Sequence, residues 1–243
     1  MSPHAPFPAV ESLPGFRRQI RLTPAPGQVT AAVVDDFHDM EVTIAHDGAT
    51  ITALASETRR APFTLCPGAG RAARRTFVGL PLARALKSSE KPNNCTHLYD
   101  LAALAAAHAG DAAPAVFDIL ISDPIAGRDG LVLAEVRRDG AVVWQWRLRR
   151  DAVVAPEAIA GRHLRELRQW IAGLSPEQAE GARMLQWCCL MAEARLVDVV
   201  TEESTAHMAL SCYAFGGEAG DQPREHTDNR VDFSALGQMP VAD

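Results

Sequence analysis

Cys95-Thr96-His97-Leu98-Tyr99-Asp100 places a thiol, a hydroxyl, an imidazole, a phenol and a carboxylate within six positions. The apolar run Leu98, Leu101, Ala102 and Ala105 behind them has helical spacing, and an asparagine or threonine before it reads as an N-cap. The first turn of such a helix carries unbonded backbone N–H groups and a partial positive charge, which suits a developing anion. His97 and Tyr99 then stand ready to move a proton or orient a phenolic or carbonyl oxygen. Cys95 has two sharper readings and a plain one. A thiol at a helix N-terminus has a lowered pKa and can be a nucleophile. Cys66, Cys95, His97 and His38 could also converge as a four-ligand zinc-type site, although no paired-ligand spacing supports it. The plain reading makes Cys95 and Thr96 packing and polar support around a ligand.

A second group centres on Phe37-His38-Asp39-Met40, where one expected strand gives way to the next. Histidine as a residue type titrates near neutral pH, which makes His38 a candidate base, with Asp36 or Asp39 to orient it. Strand alternation places Asp36 on the His38 face and Asp39 on the other. Asp35, Asp36 and Asp39 are otherwise ordinary turn formers. Arg59, before Phe63, can hold a phenolate or carboxylate, or form a surface ion pair with Glu57 or Asp39. Asp118, in an apolar strand, would have a raised pKa if buried. Trp144, with Tyr99 and Phe63, offers flat apolar surface for an aromatic ligand, although core packing is the commoner fate of tryptophan.

These groups need elements to position them. Composition allows a substantial core: 243 residues, 47% hydrophobic and 22% charged. Phe16–Leu22 and residues 28–37 read as strands. Asp47-Gly48 and Asp139-Gly140 are two-residue hairpin signals. Pairing about the first opposes Ile44 to Ile51, Val42 to Ala53 and Met40 to Ala55. Pairing about the second opposes Glu135 to Trp144, Leu133 to Trp146 and Leu131 to Leu148. Residues 116–122 form a further strand. Residues 96–109 form a helix closed by Gly110. A short helix spans 163–174. Ser175-Pro176-Glu177-Gln178 starts another, running to about Val200, with Met184, Trp187, Cys188 and Met191 on its apolar stripe. Residues 1–15 read as a flexible lead, 16–215 as a single domain and 216–243 as an irregular tail. The sum is an α+β domain: a mostly antiparallel sheet built on two hairpins, one central helix and two C-terminal helices.

Several function classes drop out. A net charge of −6 gives no basic face for nucleic acid. No stretch approaches a membrane span, no signal peptide opens the chain, and five cysteines without C-x-x-C spacing suit a reduced cytoplasm. Neither a G-x-G-x-x-G nor a P-loop occurs, which disfavours nucleotide cofactors. The C-terminal helix pair suits a C2 homodimer contact.

Phe37-His38-Asp39-Met40, Ala61-Pro62-Phe63 followed by Cys66, the Gly79-Leu80 step and Cys95-Thr96-His97-Leu98 together resemble the DUF2889 family over residues 16–110. That resemblance implies a place in bacterial breakdown of lignin-derived aromatic dimers, by loss of a side-chain hydroxymethyl group as formaldehyde. The expectation is therefore a lyase acting on a phenolic aromatic substrate without cofactor or metal. His38, Asp39, His97 and Tyr99 would be its catalytic residues, and Arg59, Phe63, Cys95, Thr96, Asp118 and Trp144 would hold the substrate. The alternative is a non-catalytic binding or accessory protein for an aromatic or acyl small molecule.

Overall fold

The computed structural model describes residues 8–87, 91–196, 212–216, 224–226 and 229–242. Eight strands run β1 (Gly15–Ala25), β2 (Gln28–Asp35), β3 (Asp39–His46), β4 (Ile51–Arg60), β5 (Ala115–Ser122), β6 (Leu131–Arg138), β7 (Ala141–Arg149) and β8 (Ala152–Ala155). They form an antiparallel sheet in the order β4-β3-β2-β1-β5-β6-β7-β8. Among the described residues four α-helices accompany them: α1 (Gly70–Phe77), α2 (Thr96–Ala107), α3 (Arg168–Ala172) and α4 (Pro176–Ala192). The α+β expectation is met. No helix among the described residues is long and apolar enough to cross a membrane.

The described residues gather into two compact units. One draws on residues up to 19, 116–196 and 232–240; the other on 20–115, the described residues between 198 and 231, and 241–242. In the first, β6 and β7 carry α4 on one face, where Gly181 meets Val143 and Trp144. The N-terminal segment closes the other face: Val10 packs with Leu120, Leu131 and Leu133. Buried Arg17 stitches that segment down, donating to the carbonyls of Val10 and Leu13. In the second unit, α2 lies on β2 and β3. All but one of its residues from Thr96 to Ala106 are buried; the exception is Asp100, which pairs with Lys91. Five small alanines let the helix approach the sheet closely.

Both hairpins form, but each register departs from the simple reading. About Asp139-Gly140 the turn is as expected, with φ +50° and +80°, the geometry of a two-residue hairpin. Arg138 faces Ala141 and Arg137 faces Val142. A bulge then shifts the pairing, so that Val136 faces Trp144 and Glu135 faces Gln145. An extra residue moves every later side chain to the other sheet face. Trp144 and Trp146 therefore pair with Val136 and Ala134, and Glu135 does not face Trp144. At Asp47-Gly48 the Asp47 carboxylate accepts from the N–H groups of Ala49 and Thr50, which stretches the turn. His46 then faces Ile51, and past a bulge Ile44 faces Leu54 and Val42 faces Ser56. Met40, Val42 and Ile44 are buried as expected; Ala53 and Ala55 face solvent.

Further differences are local. Cys95, without a side-chain capping bond, occupies the N-cap of α2, and the helix stops before Gly110. Ser175 caps α4 as read, accepting from Gln178 N at 3.4 Å. α4 itself ends at Ala192, and residues 197–200 of the expected helix lie outside the described residues. Helix α1 went unforeseen because Gly-Arg-Ala-Ala-Arg-Arg-Thr-Phe offers only three apolar anchors: Ala72, Ala73 and Phe77, all buried, with Arg71, Arg74 and Arg75 outward. The described tail residues are irregular yet tied down: His226 N–H donates to Pro62 O, Asn229 Nδ2 to Ala61 O and Val231 N–H to Asp36 O.

Candidate active site

The bend between β2 and β3 is built around Asp35. Its Oδ1 accepts the backbone N–H groups of Phe37 at 2.7 Å and His38 at 2.8 Å, while Asp35 N–H donates to His38 O. Aspartate closes such turns because its short side chain reaches backbone donors two and three residues ahead. The same carboxylate lies 3.0 and 3.2 Å from Nδ1 of His38. With the carboxylate ionised it can only accept, and in that state Nδ1–H donates and leaves Nε2 as the acceptor. Asp35 is fully buried and His38 is 3% exposed.

Arg60, at the end of β4, fixes the bend from the neighbouring strand. One guanidinium nitrogen donates to Asp36 O and Asn229 O, the other to Asp35 O and His38 O. Half-burial pulls this guanidinium below its usual pKa, against the opposing pull of Asp35, Asp39 and Asp36. Its planar fork matches several carbonyls at once, which lysine cannot do.

From the opposite side α2 delivers His97. Its ring stacks on that of His38, with centroids 3.8 Å apart and planes 31° from parallel. Asp35, His38 and His97, all buried, offer one ligand atom each within 4.8 Å of one another. A base with an orienting carboxylate and a second imidazole beside it can take a proton at one ring and supply one from the other, or the group can hold a divalent ion.

The two histidines expected to matter are thus brought together; the orienting acid is Asp35, not Asp36 or Asp39. Strand alternation does not extend through residues 36–38, because the chain bends there. A carboxylate three residues before a histidine, at a strand end, is the signal that could have found it. Arg60 left no comparable trace. Asp39 instead accepts from Arg59 at 2.8 Å in a surface group with Glu41 and Glu57, the plainer of the two readings of Arg59.

The remaining candidates are not members of this group of three. Buried Tyr99 packs against Phe77, with centroids 5.0 Å apart. Phe63 meets Phe215 edge to face at 4.8 Å. Thr96 is buried at the start of α2. Asp118, accepting from Gln19, and Trp144, donating to Gln178 O, belong to the first unit. Burial bears against the nucleophilic reading of Cys95. Burial pushes the Cys95 thiol up to about 11, the backbone N–H groups of Leu98 and His97 notwithstanding, and Cys66 up to about 12. Burial favours the neutral thiol more than the helix terminus favours the thiolate. Among the described residues, the metal-competent group contains Asp35 where the four-ligand idea had two cysteines.

Residues 15–110 match the model of the family described as "Protein of unknown function (DUF2889)", in agreement with the resemblance drawn from four short motifs. The match spans β1 to α2 and so includes Asp35, His38, Arg60 and His97. No curated protein matches the chain.

Proposed function

We propose that the protein is a carbon–carbon lyase that releases the side-chain hydroxymethyl group of a lignin-derived phenolic aromatic dimer as formaldehyde, by acid/base catalysis without an organic cofactor. The observation that carries this reading is the buried Asp35–His38 pair with His97 stacked on it. His38 Nε2 takes the hydroxymethyl O–H proton. The substrate reacts as its quinone methide, its phenolic proton and the oxygen substituent next to the ring having left together as water or an alcohol. As the C=O of formaldehyde forms, the carbon–carbon bond breaks, its electron pair becomes the stilbene C=C, and the quinone methide electrons return to the ring oxygen. His97 protonates or hydrogen-bonds that oxygen, where charge develops. Asp35 stabilises the imidazolium formed on His38, and no redox step is needed. The substrate class comes from the family resemblance, and the proton chemistry from the dyad. The setting belongs to the same proposal: the cytoplasm, and a C2 homodimer through the C-terminal helices.

Incubating the purified protein with lignin-type dimers should yield formaldehyde and a stilbene in equal amounts. Binding without turnover would instead support a carrier or accessory role. One observation favours that second reading: a cavity of about 410 Å³ in the first unit, walled by Pro8–Glu11, Leu133, Arg137 and Arg147. At its floor Glu135 accepts from Arg137 and Gln145.

A further inference from the structure

We propose that Asp35, His38 and His97 bind one divalent transition-metal ion of the zinc class, and that the seated ion silences proton transfer at this site. Only the second half rests on the lyase reading. Two imidazoles and a carboxylate are borderline-hard donors suited to zinc, cobalt, iron or manganese, and a three-residue set leaves a coordination position open. Ligands on one ion at about 2.1 Å stand roughly 3.0–3.4 Å apart. Asp35 and His38 Nδ1 already stand 3.0 and 3.2 Å apart. All three ligand atoms fall within 4.8 Å of one another, so closure around an ion asks for movements of about 1.8 Å at most.

The surroundings are those of a supported site. Ligating carboxylates are held by outer hydrogen bonds, and here Phe37 and His38 N–H groups fix Asp35 Oδ1. Arg60 fixes the bend carrying two of the ligands, and the buried Asp36 carboxylate offsets its charge. An ion on His38 Nδ1 displaces the proton that Asp35 holds there and removes the dyad. Metal binding and proton transfer therefore compete for one imidazole.

The test titrates chelator-treated protein with zinc alone by calorimetry, and with cobalt(II) by visible absorption. Expected are one ion per chain, shifts in two of the eight histidine ring signals, and binding weakened at least about tenfold in His97→Gln, whose melting temperature stays near that of the parent. Absence of stoichiometric binding, or equal binding by His97→Gln, overturns the site. Should that variant not fold, the histidine ring signals of the parent protein decide alone. Turnover separates the two readings. Activity in chelated protein, lost on zinc loading, supports both. Activity only in the loaded protein keeps the ion site and overturns the silencing along with the cofactor-free mechanism. Activity unchanged by a bound ion overturns the silencing alone.

Discussion

His38 reaches its position through a tight bend and His97 through a helix, so their substitutions should report on chemistry more than on folding. His38→Ala and His97→Ala should each lower formaldehyde release by about 10²-fold or more while still melting cooperatively. Cys95→Ser should be mild, because the thiol is neutral packing. The same burial makes a second prediction. With Cys95 pushed up to about 11 and Cys66 to about 12, iodoacetamide at pH 8 should label Cys95 about 10²-fold and Cys66 about 10³-fold more slowly in native than in denatured protein. Labelling at a denatured rate would return the nucleophilic reading. At this scale the sequence was informative where the functional group is itself rare. His38 and His97 could be singled out by type, whereas Asp35 could not: three aspartates lie within five positions, and only the bend decides which one meets the imidazole. Arg60 acts through backbone carbonyls, for which no sequence pattern exists.

Elements followed the same logic. The Asp-Gly turns, the Ser-Pro-Glu-Gln helix start and the apolar strands were legible because each is encoded locally. The bulges were not, since one extra residue leaves composition unchanged while reversing faces, so that Trp144 faces Val136 and not Glu135. Close approach between backbones was equally hidden. A Cβ on Gly15 would lie 2.0 Å from Ile121 O and 2.7 Å from Ser122 Cα. Backbone cannot step aside as a side chain can. Gly15→Ala should therefore cost about 3 kcal/mol, a fall of roughly 6–12 °C in melting temperature, whereas Gly48→Ala meets no neighbour and answers only to its φ of +93°. Equal melting of the parent and Gly15→Ala would show that β1 and β5 can separate at no cost.

Across the whole molecule, segments far apart in the chain are fastened by charge. Asp232 accepts from Arg195, itself 5% exposed, and from Ser234 Oγ and Ala235 N–H. Burial works against its ionisation, yet these donors outweigh it and hold the carboxyl well below the usual range. A depressed folded pKa contributes stability that is present above the unfolded value of about 3.9 and is lost as pH falls through the folded one. Asp232→Asn should thus melt below the parent at pH 7, with the gap closing below about pH 4; a gap independent of pH would assign the effect to packing. The sheet order has a consequence for synthesis. Every neighbouring pair of strands is consecutive in the chain except β1 and β5. β1 ends at Ala25 and β5 begins at Ala115. At about 5–20 residues per second, β1 leaves the ribosome roughly 5–18 s before the partner for its second edge exists. An open central edge invites pairing with another nascent chain, and charge is the usual guard. Arg17, Arg18 and Arg21, odd occupants of a central strand, supply that charge while the edge stands open. A chain stalled near residue 110 should yield to trypsin at Arg17 and Arg18, which in the finished fold are 2% and 3% exposed and should resist it.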